Sequence, residues 1–317
     1  MRLPVRQRNQ MSELIFHHYD FSPFSEKIRL IFGLKGLTWH SVLVPSVMPK
    51  PDVVALTGGY RHTPVLQIGA DVYCDTRLIA REIDRRYPSK SIFPGNVQGF
   101  ASVIEAWADR DLFWPIARYV TGMNAEIIDP QFHIDRAALR GKAAPSIAQL
   151  RQAARRSLDT VRAEVSRVEE MLGDGRLYLL NEMPGLADFS VYHGLWFLSV
   201  FKVDCSDVLS AFPHLTSWMR RINAIGHGIR MALEPKEALA VAAGANPEST
   251  RSSILNDSPP CVGTNVSIRP ENYHTEDVQG CIVFVDEHEI AVLRQDAKLG
   301  EVVVHFPRVG YVIKELR

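Results

Sequence analysis

The stretch YDFSPFSEKIRLIF, residues 19–32, sets a serine before a proline and an amphipathic pattern. Ser22 reads as a helix N-cap, with Pro23 at the first helical position. A helix N-terminus offers unpaired N–H groups and the positive end of a dipole, so it favours a nearby anion. A thiol, which ordinarily titrates near ~8.5, is pushed there towards the nucleophilic thiolate. A cap hydroxyl can donate a hydrogen bond to such a thiolate. The stretch holds no cysteine, so the sulfur has to arrive with a ligand. Tyr19, at or beside the end of the preceding strand, is the competing hydroxyl. Two further places stand out: His62-Thr63-Pro64, where a proline opens a strand at an edge or turn, and Asp75-Thr76, which caps the next helical pattern.

The elements that must position these residues follow from hydrophobic period. In residues 14–88, LIFHHY is a short strand, Phe24, Ile28, Ile31 and Phe32 share one helical face, and WHSVLV is a second strand. A Pro- and Gly-containing loop spans 45–60. PVLQI and DVYC around Gly69-Ala70 make a hairpin, and DTRLIAREIDRRY closes the segment as a helix. The order is β-α-β, loop, β-β-α, with parallel pairing favoured in the first unit. Residues 96–234 show helical periods and no convincing strand. The stretch ALAVAAGANPESTRSSILNDSPP then reads as a linker. NVSIRP, GCIVFVD, EIAVLRQD, EVVVHF and YVIKEL, short β-branched runs, suggest a small barrel.

Composition narrows the function classes. Of 317 residues, 46% are hydrophobic and 23% charged, with 36 basic and 36 acidic side chains. The even balance weighs against a dedicated nucleic-acid binder. Residues 251–317 carry seven Lys/Arg and ten Asp/Glu, which disfavours phosphate-backbone binding by the terminal module. The four cysteines, Cys74, Cys205, Cys261 and Cys281, form no Cys-x-x-Cys pair, and a reduced cytoplasm is expected. Cys74, at the end of an apolar strand, reads as a packing residue. No run approaches the ~20 apolar residues of a membrane span. The basic opening MRLPVRQRNQ lacks an apolar region and is expected to be a disordered tail, with Met11 as an alternative start.

The order β-α-β-β-α before a helical region, read with SPFSEKIR, RHTPVLQIG and YCDTRLIA, resembles the glutathione S-transferase superfamily over residues 14–233. The resemblance implies a thioredoxin-like α/β domain (13–90), an all-helical domain (96–236), a linker (237–260) and, outside the family pattern, a small SH3-like β-barrel (261–317) after a tail (1–12). It implies that Ser22 stabilises the thiolate of glutathione, with Tyr19 as runner-up. Thr63, before a cis Pro64, would pair with the cysteinyl part through its main chain, and His62 would contact the glycyl end. Asp75 and Thr76 would hold the γ-glutamyl ammonium and carboxylate, with Asp for the family's Glu and Thr for its Ser. Ser25 stands where glutaredoxin-like members have a second thiol, so disulfide exchange through the protein is not expected. In PGLADF, Asp188 matches a structural capping box whose Ser or Thr is here Gly185.

The electrophile pocket is expected on the first helices of the helical domain, with Arg110, Phe113, Trp114 and Tyr119 as candidates. The implied protein is a cytoplasmic, homodimeric glutathione transferase of the serine type, taking glutathione as co-substrate and a small hydrophobic electrophile. No metal, nucleic acid or membrane is expected. The alternatives are a non-enzymatic binding or scaffold protein of the same fold, or a glutathione-dependent isomerase, ether-cleaving lyase or dehalogenase.

Overall fold

A computed structural model describes residues 13–248, 260–273 and 277–316. The expected tail lies outside the described residues, as does most of the second half of the expected linker. The first domain runs β1 (Ile15–His18), α1 (Pro23–Lys35), β2 (Thr38–Leu43), α2 (Pro51–Thr57), β3 (Val65–Ile68), β4 (Asp71–Cys74) and α3 (Thr76–Arg86). Strand β1 pairs parallel with β2 and antiparallel with β3, and β3 and β4 form the hairpin. Alternation along these strands splits them between two cores. Phe16, Leu66 and Tyr73 join Phe32, Trp39 and Ile79 on one face, while Ile15, Val65, Val72 and Cys74 pack on the other.

The helical domain comprises α4 (Gln98–Trp107), a π-helical turn at Ala108–Leu112, α5 (Phe113–Met123), α6 (Pro130–Ala138), α7 (Ile147–Met171), α8 (Leu186–Trp196) and α9 (Pro213–Asn223). Its core is continuous with the first sheet face through Leu112, Ile116, Phe189 and Trp218. Gly122 allows α5 to cross α7 closely, since a Cβ there would lie 2.3 Å from the Leu150 carbonyl oxygen. Two elements depart from the sequence reading. The loop expected at 45–60 contains α2, and the all-helical region ends in a strand, β5 (Ile229–Ala232), parallel to β2. All four β5 residues are exposed, so no apolar alternation marks it; main-chain pairing holds it.

The expected linker also begins as an ordered helix, α10 (Pro235–Ala243), whose Ala238 and Ala242 are fully buried against the second core. Alanine-rich sequence reads as linker, yet alanine has the strongest helix propensity and permits close packing. Gln67 ties this helix to the sheet, its Nε2 donating to the Ala238 carbonyl at 2.8 Å and its Oε1 lying 2.9 Å from His17 Nε2.

All five expected terminal strands form: β6 (Asn265–Pro270), β7 (Val278–Val285), β8 (Glu289–Asp296), β9 (Gly300–Pro307) and β10 (Tyr311–Glu315). They are antiparallel neighbours in the order β10-β6-β7-β8-β9, and β9 then pairs parallel with β4. The expected separate unit therefore shares a ten-stranded sheet with the first domain. It also shares the second core, through Val266, Ile268, Val304 and Phe306.

A buried ionic clasp marks the joint. His305 on β9 lies 2.6 Å by Nδ1 from Glu289 and 3.0 Å by Nε2 from Asp71 on β4, with its ring stacked on Tyr73. A ring facing a carboxylate from each nitrogen is best satisfied as imidazolium, where both are donors. Burial opposes that charge, but the bonds to Asp71 and Glu289 outweigh it and raise the pKa above 6.5. A raised folded-state value stabilises the fold fully below the unfolded pKa and is lost as pH rises through the folded one. The stabilisation that His305 contributes is therefore expected to shrink as pH rises above about 6.5, so that the gap in melting temperature between wild type and His305→Gln narrows towards alkaline pH. Thermal denaturation at several pH values checks this.

Candidate functional site

Ser22 caps α1 as expected: its φ of −78° and ψ of 117° are extended, and its Oγ accepts from the Ser25 N–H at 3.2 Å. A hydroxyl that accepts from the backbone keeps its own proton to donate. The turn before it is closed by the Ser22 N–H on the Tyr19 carbonyl at 3.1 Å. Tyr19 lies in a different setting. Its hydroxyl accepts from Arg136 at 3.3 Å, and its ring lies against Phe21 and beneath the Lys50 ammonium. Ser25 is fully buried, and its Oγ has no partner among the described residues.

The Thr63–Pro64 peptide bond is cis. Thr63 Oγ1 accepts from Lys50 Nζ at 2.8 Å, and the Arg61 carbonyl accepts from the same ammonium at 3.3 Å. Lys50 is 3% exposed; burial, then the charges of Arg136 and Arg61, lower its pKa to about 7. His62 sits between the rings of Tyr60 and Tyr273, and its Nε2 has no hydrogen-bond partner among the described residues. Burial, then Lys50, Arg136 and Arg61, lower its pKa to about 3, so the ring is neutral. With His62 neutral, the positive charge at this end of the site comes from Arg61, Arg136 and Lys50.

Asp75 caps α3 with a φ of 73° and a ψ of 134°, outside the left-handed helical well and on backbone that few side chains adopt. Its carboxylate accepts from the Arg77 N–H at 3.0 Å and from the Arg77 guanidinium at 3.2 Å. Thr76 is buried as the first residue of α3, beside that helix's unpaired N–H groups. The structure thus sets Ser22 and Asp75-Thr76 at two helix N-termini and Thr63-Pro64 at a bend between them in sequence.

The expected electrophile residues occupy several different environments. Phe113 is buried and packs on Phe24 at 4.8 Å, two residues from Ser22, whereas Tyr119 lies in the helical core. Trp114 stacks under Arg140, and Arg110 bonds its own helix at the Ala106 carbonyl. A further aromatic group meets Phe21 from α6 and from the segment after α8. Phe132 and Phe201 lie 6.3 Å and 5.9 Å from Phe21, and Arg136 covers Phe132 while donating to the Ser46 carbonyl. Asp135 on α6 accepts from Arg61 and from the Met48 N–H, latching the helix onto the first domain. Sequence reading missed α6 and Lys50. The signal for α6 was present in Asp129-Pro130, a cap and a first-position proline, with Asp129 accepting from the Gln131 N–H at 2.8 Å.

Comparison with known proteins decides the lineage. Residues 16–91 match the model of the glutathione S-transferase N-terminal domain, and residues 127–225 match that of its C-terminal domain. A GST-like protein from Pseudomonas syringae, solved by crystallography, is 36% identical, with 96% of this chain and 99% of that one covered and a TM-score of 0.77. The chain belongs to the glutathione S-transferase superfamily. The alignment with the Pseudomonas protein includes the terminal strands, since almost the whole of both chains is covered. Glutathione transferase GSTFuA3 from Phanerochaete chrysosporium shares the fold at 18% identity and a TM-score of 0.56, over 68% of this chain and 98% of that one. Glutathione S-transferase III in its apo form does so at 20% identity and a TM-score of 0.52, over 67% and 92%. No curated protein sequence matches the chain.

One departure from the superfamily pattern has a steric explanation. Asp188 accepts from the Leu179 and Gly185 N–H groups and from Trp218 Nε1 at 2.9, 3.0 and 2.8 Å, a structural hub as expected. A Cβ on Gly185 would lie 2.7 Å from the Ile92 carbonyl oxygen and 3.0 Å from Pro94. The transferase fold here has no room for the usual Ser or Thr.

Proposed function

We propose that this protein is a glutathione transferase of the serine type, binding reduced glutathione in the first domain and directing its thiolate at an electrophile. The observation that carries the reading is Ser22 at the N-terminus of α1, its Oγ fixed by the Ser25 N–H and its own proton free to donate. Asp75 and Thr76 take the γ-glutamyl ammonium and carboxylate, the main chain of Thr63 before the cis proline takes the cysteinyl part, and Lys50 beside His62 takes the glycyl carboxylate. The electrophile rests against Phe21, Phe132 and Phe201, with Arg136 at the rim. Rate enhancement comes from the thiolate population and from holding the two reactants together.

The active form is a homodimer in the cytoplasm. The face of α4 that carries Phe100 and Val103, 71% and 70% exposed, is a candidate for its contact. No helix among the described residues is long and apolar enough to cross a membrane.

Titration calorimetry with reduced glutathione, followed by turnover assays on a panel of aryl halides, epoxides and β-aryl ethers, tests the reading. Saturable binding with turnover of at least one electrophile is expected. Binding without any turnover would favour a non-enzymatic ligand-binding member, and absence of binding would overturn both.

A further inference from the structure

The terminal strands reach the residues assigned above to glutathione. Tyr311, the first residue of β10, is 7% exposed and directs its hydroxyl to Asp75 Oδ2 at 3.3 Å, with the Tyr60 hydroxyl 3.4 Å away. Just before it, the Val309 carbonyl accepts from Arg77 Nη2 at 3.2 Å, and the same guanidinium holds Asp75. The ring of Tyr273, which follows β6, meets His62 at 4.5 Å. Asp75 needs such anchors, because its φ of 73° places the carboxylate on backbone that few side chains adopt. Burial, and then the neighbouring Tyr60 and Asp75, push the Tyr311 phenol well above its ordinary pKa, so it remains a donor at neutral pH.

We propose that the terminal β unit is a working part of the ligand site, with Tyr311 as a positioning residue that orients the Asp75 carboxylate towards a ligand ammonium. The inference rests on the glutathione reading above and deepens it. The unit sets selectivity for a ligand that carries an α-ammonium on its γ-glutamyl end over one that lacks it. The contacts to Asp75 Oδ2 at 3.2 and 3.3 Å are longer than the ~2.7–2.9 Å of strong charge-assisted bonds. They aim the carboxylate while leaving it able to accept from a closer cation.

The test compares two ligands on the same variants by calorimetry: reduced glutathione and glutaryl-cysteinylglycine, which differs only in lacking the α-amino group. The wild type is expected to prefer glutathione. Tyr311→Phe should lose about three- to tenfold in glutathione affinity, the worth of one hydrogen bond, while the analogue changes by less than about twofold on the same grounds. Tyr60→Phe removes the neighbouring hydroxyl from the same apolar cluster and should keep the preference. Taking the ratio of the two affinities cancels any loss of folded protein. Equal losses for both ligands in Tyr311→Phe would make the tyrosine merely structural and overturn the proposal, as would unchanged or tighter glutathione binding. A wild type that binds the analogue as well as glutathione would also overturn it. A wild type that binds neither would remove the glutathione reading and this inference together.

Discussion

Replacing Ser22 by alanine is expected to lower kcat/KM at pH 7 by about ten- to a hundredfold. The magnitude follows from the hydroxyl's role. A hydrogen bond to a charged group contributes about 1.5–3 kcal/mol, and one pKa unit corresponds to about 1.4 kcal/mol. Loss of the Ser22 donor therefore raises the pKa of the bound thiol by about one to two units. The signs are fixed: the hydroxyl favours the charged form, so its removal leaves less thiolate at neutral pH, and activity recovers as pH rises. The variant also loses the cap on the Ser25 N–H, at a cost of about 1 kcal/mol of stability. The two effects separate experimentally. A pH–rate profile shifted to alkaline pH reports the thiolate, whereas a lost cap alone lowers the unfolding midpoint and leaves the profile in place. Tyr19→Phe is expected to leave the profile unmoved, because Ser22 and not Tyr19 caps the N-terminus of α1, while the Tyr19 hydroxyl lies against Arg136.

Replacing Lys27 by methionine is expected to cost about 3–5 kcal/mol in unfolding free energy. Lys27, on α1, is fully buried and bonds Glu105 on α4 at 2.7 Å and Asp109 in the π-helical turn at 3.3 Å. His193 on α8 completes the group, with its Nε2 3.0 Å from Asp109. Burial pushes the Glu105 carboxyl up, while Lys27 and then His193 outweigh burial at Asp109 and hold it below its ordinary value. Without the ammonium, two carboxyl groups remain in an apolar interface between the domains. Pairing Lys27→Met with Glu105→Leu removes one of them and should recover a large part of the loss. Urea unfolding of the single and double variants at fixed pH measures both values. A single variant as stable as the wild type would show that the cluster contributes nothing to domain docking.

The sheet and most helices were legible because their patterns are local. Alternation in LIFHHY, PVLQI and the five terminal runs, and the helical face of Phe24, Ile28, Ile31 and Phe32, each reflect burial that the structure reproduces. What sequence reading missed depends on distant partners. Strand β5 is exposed and exists through β2, and α10 is buried only because α2, β2 and β9 surround it. The parallel pairing of β9 with β4 joins residues more than two hundred positions apart, so no local pattern marks that the terminal β unit continues the first sheet. At the site, the caps Ser22 and Asp75 and the proline bend were readable from residue type and order. Lys50 was not, since a lone lysine before Pro51 reads as surface and is buried by Arg61, Arg136 and Tyr19 arriving from elsewhere. Phe132 was not readable either, since its meeting with Phe21 brings α6 onto the first domain, while Phe113 and Tyr119 in α5 join the helical core.

The most direct test of the central claim is the pKa of the glutathione thiol while bound, followed through the ultraviolet absorbance of the thiolate as pH is varied. The account predicts a value of about 6.5–7.5 on the wild type, against about 8.5 for a free thiol. It also predicts a return towards the free value in Ser22→Ala. A bound thiol that titrates at the free value on the wild type, or a pKa that Ser22→Ala leaves unchanged, would contradict it.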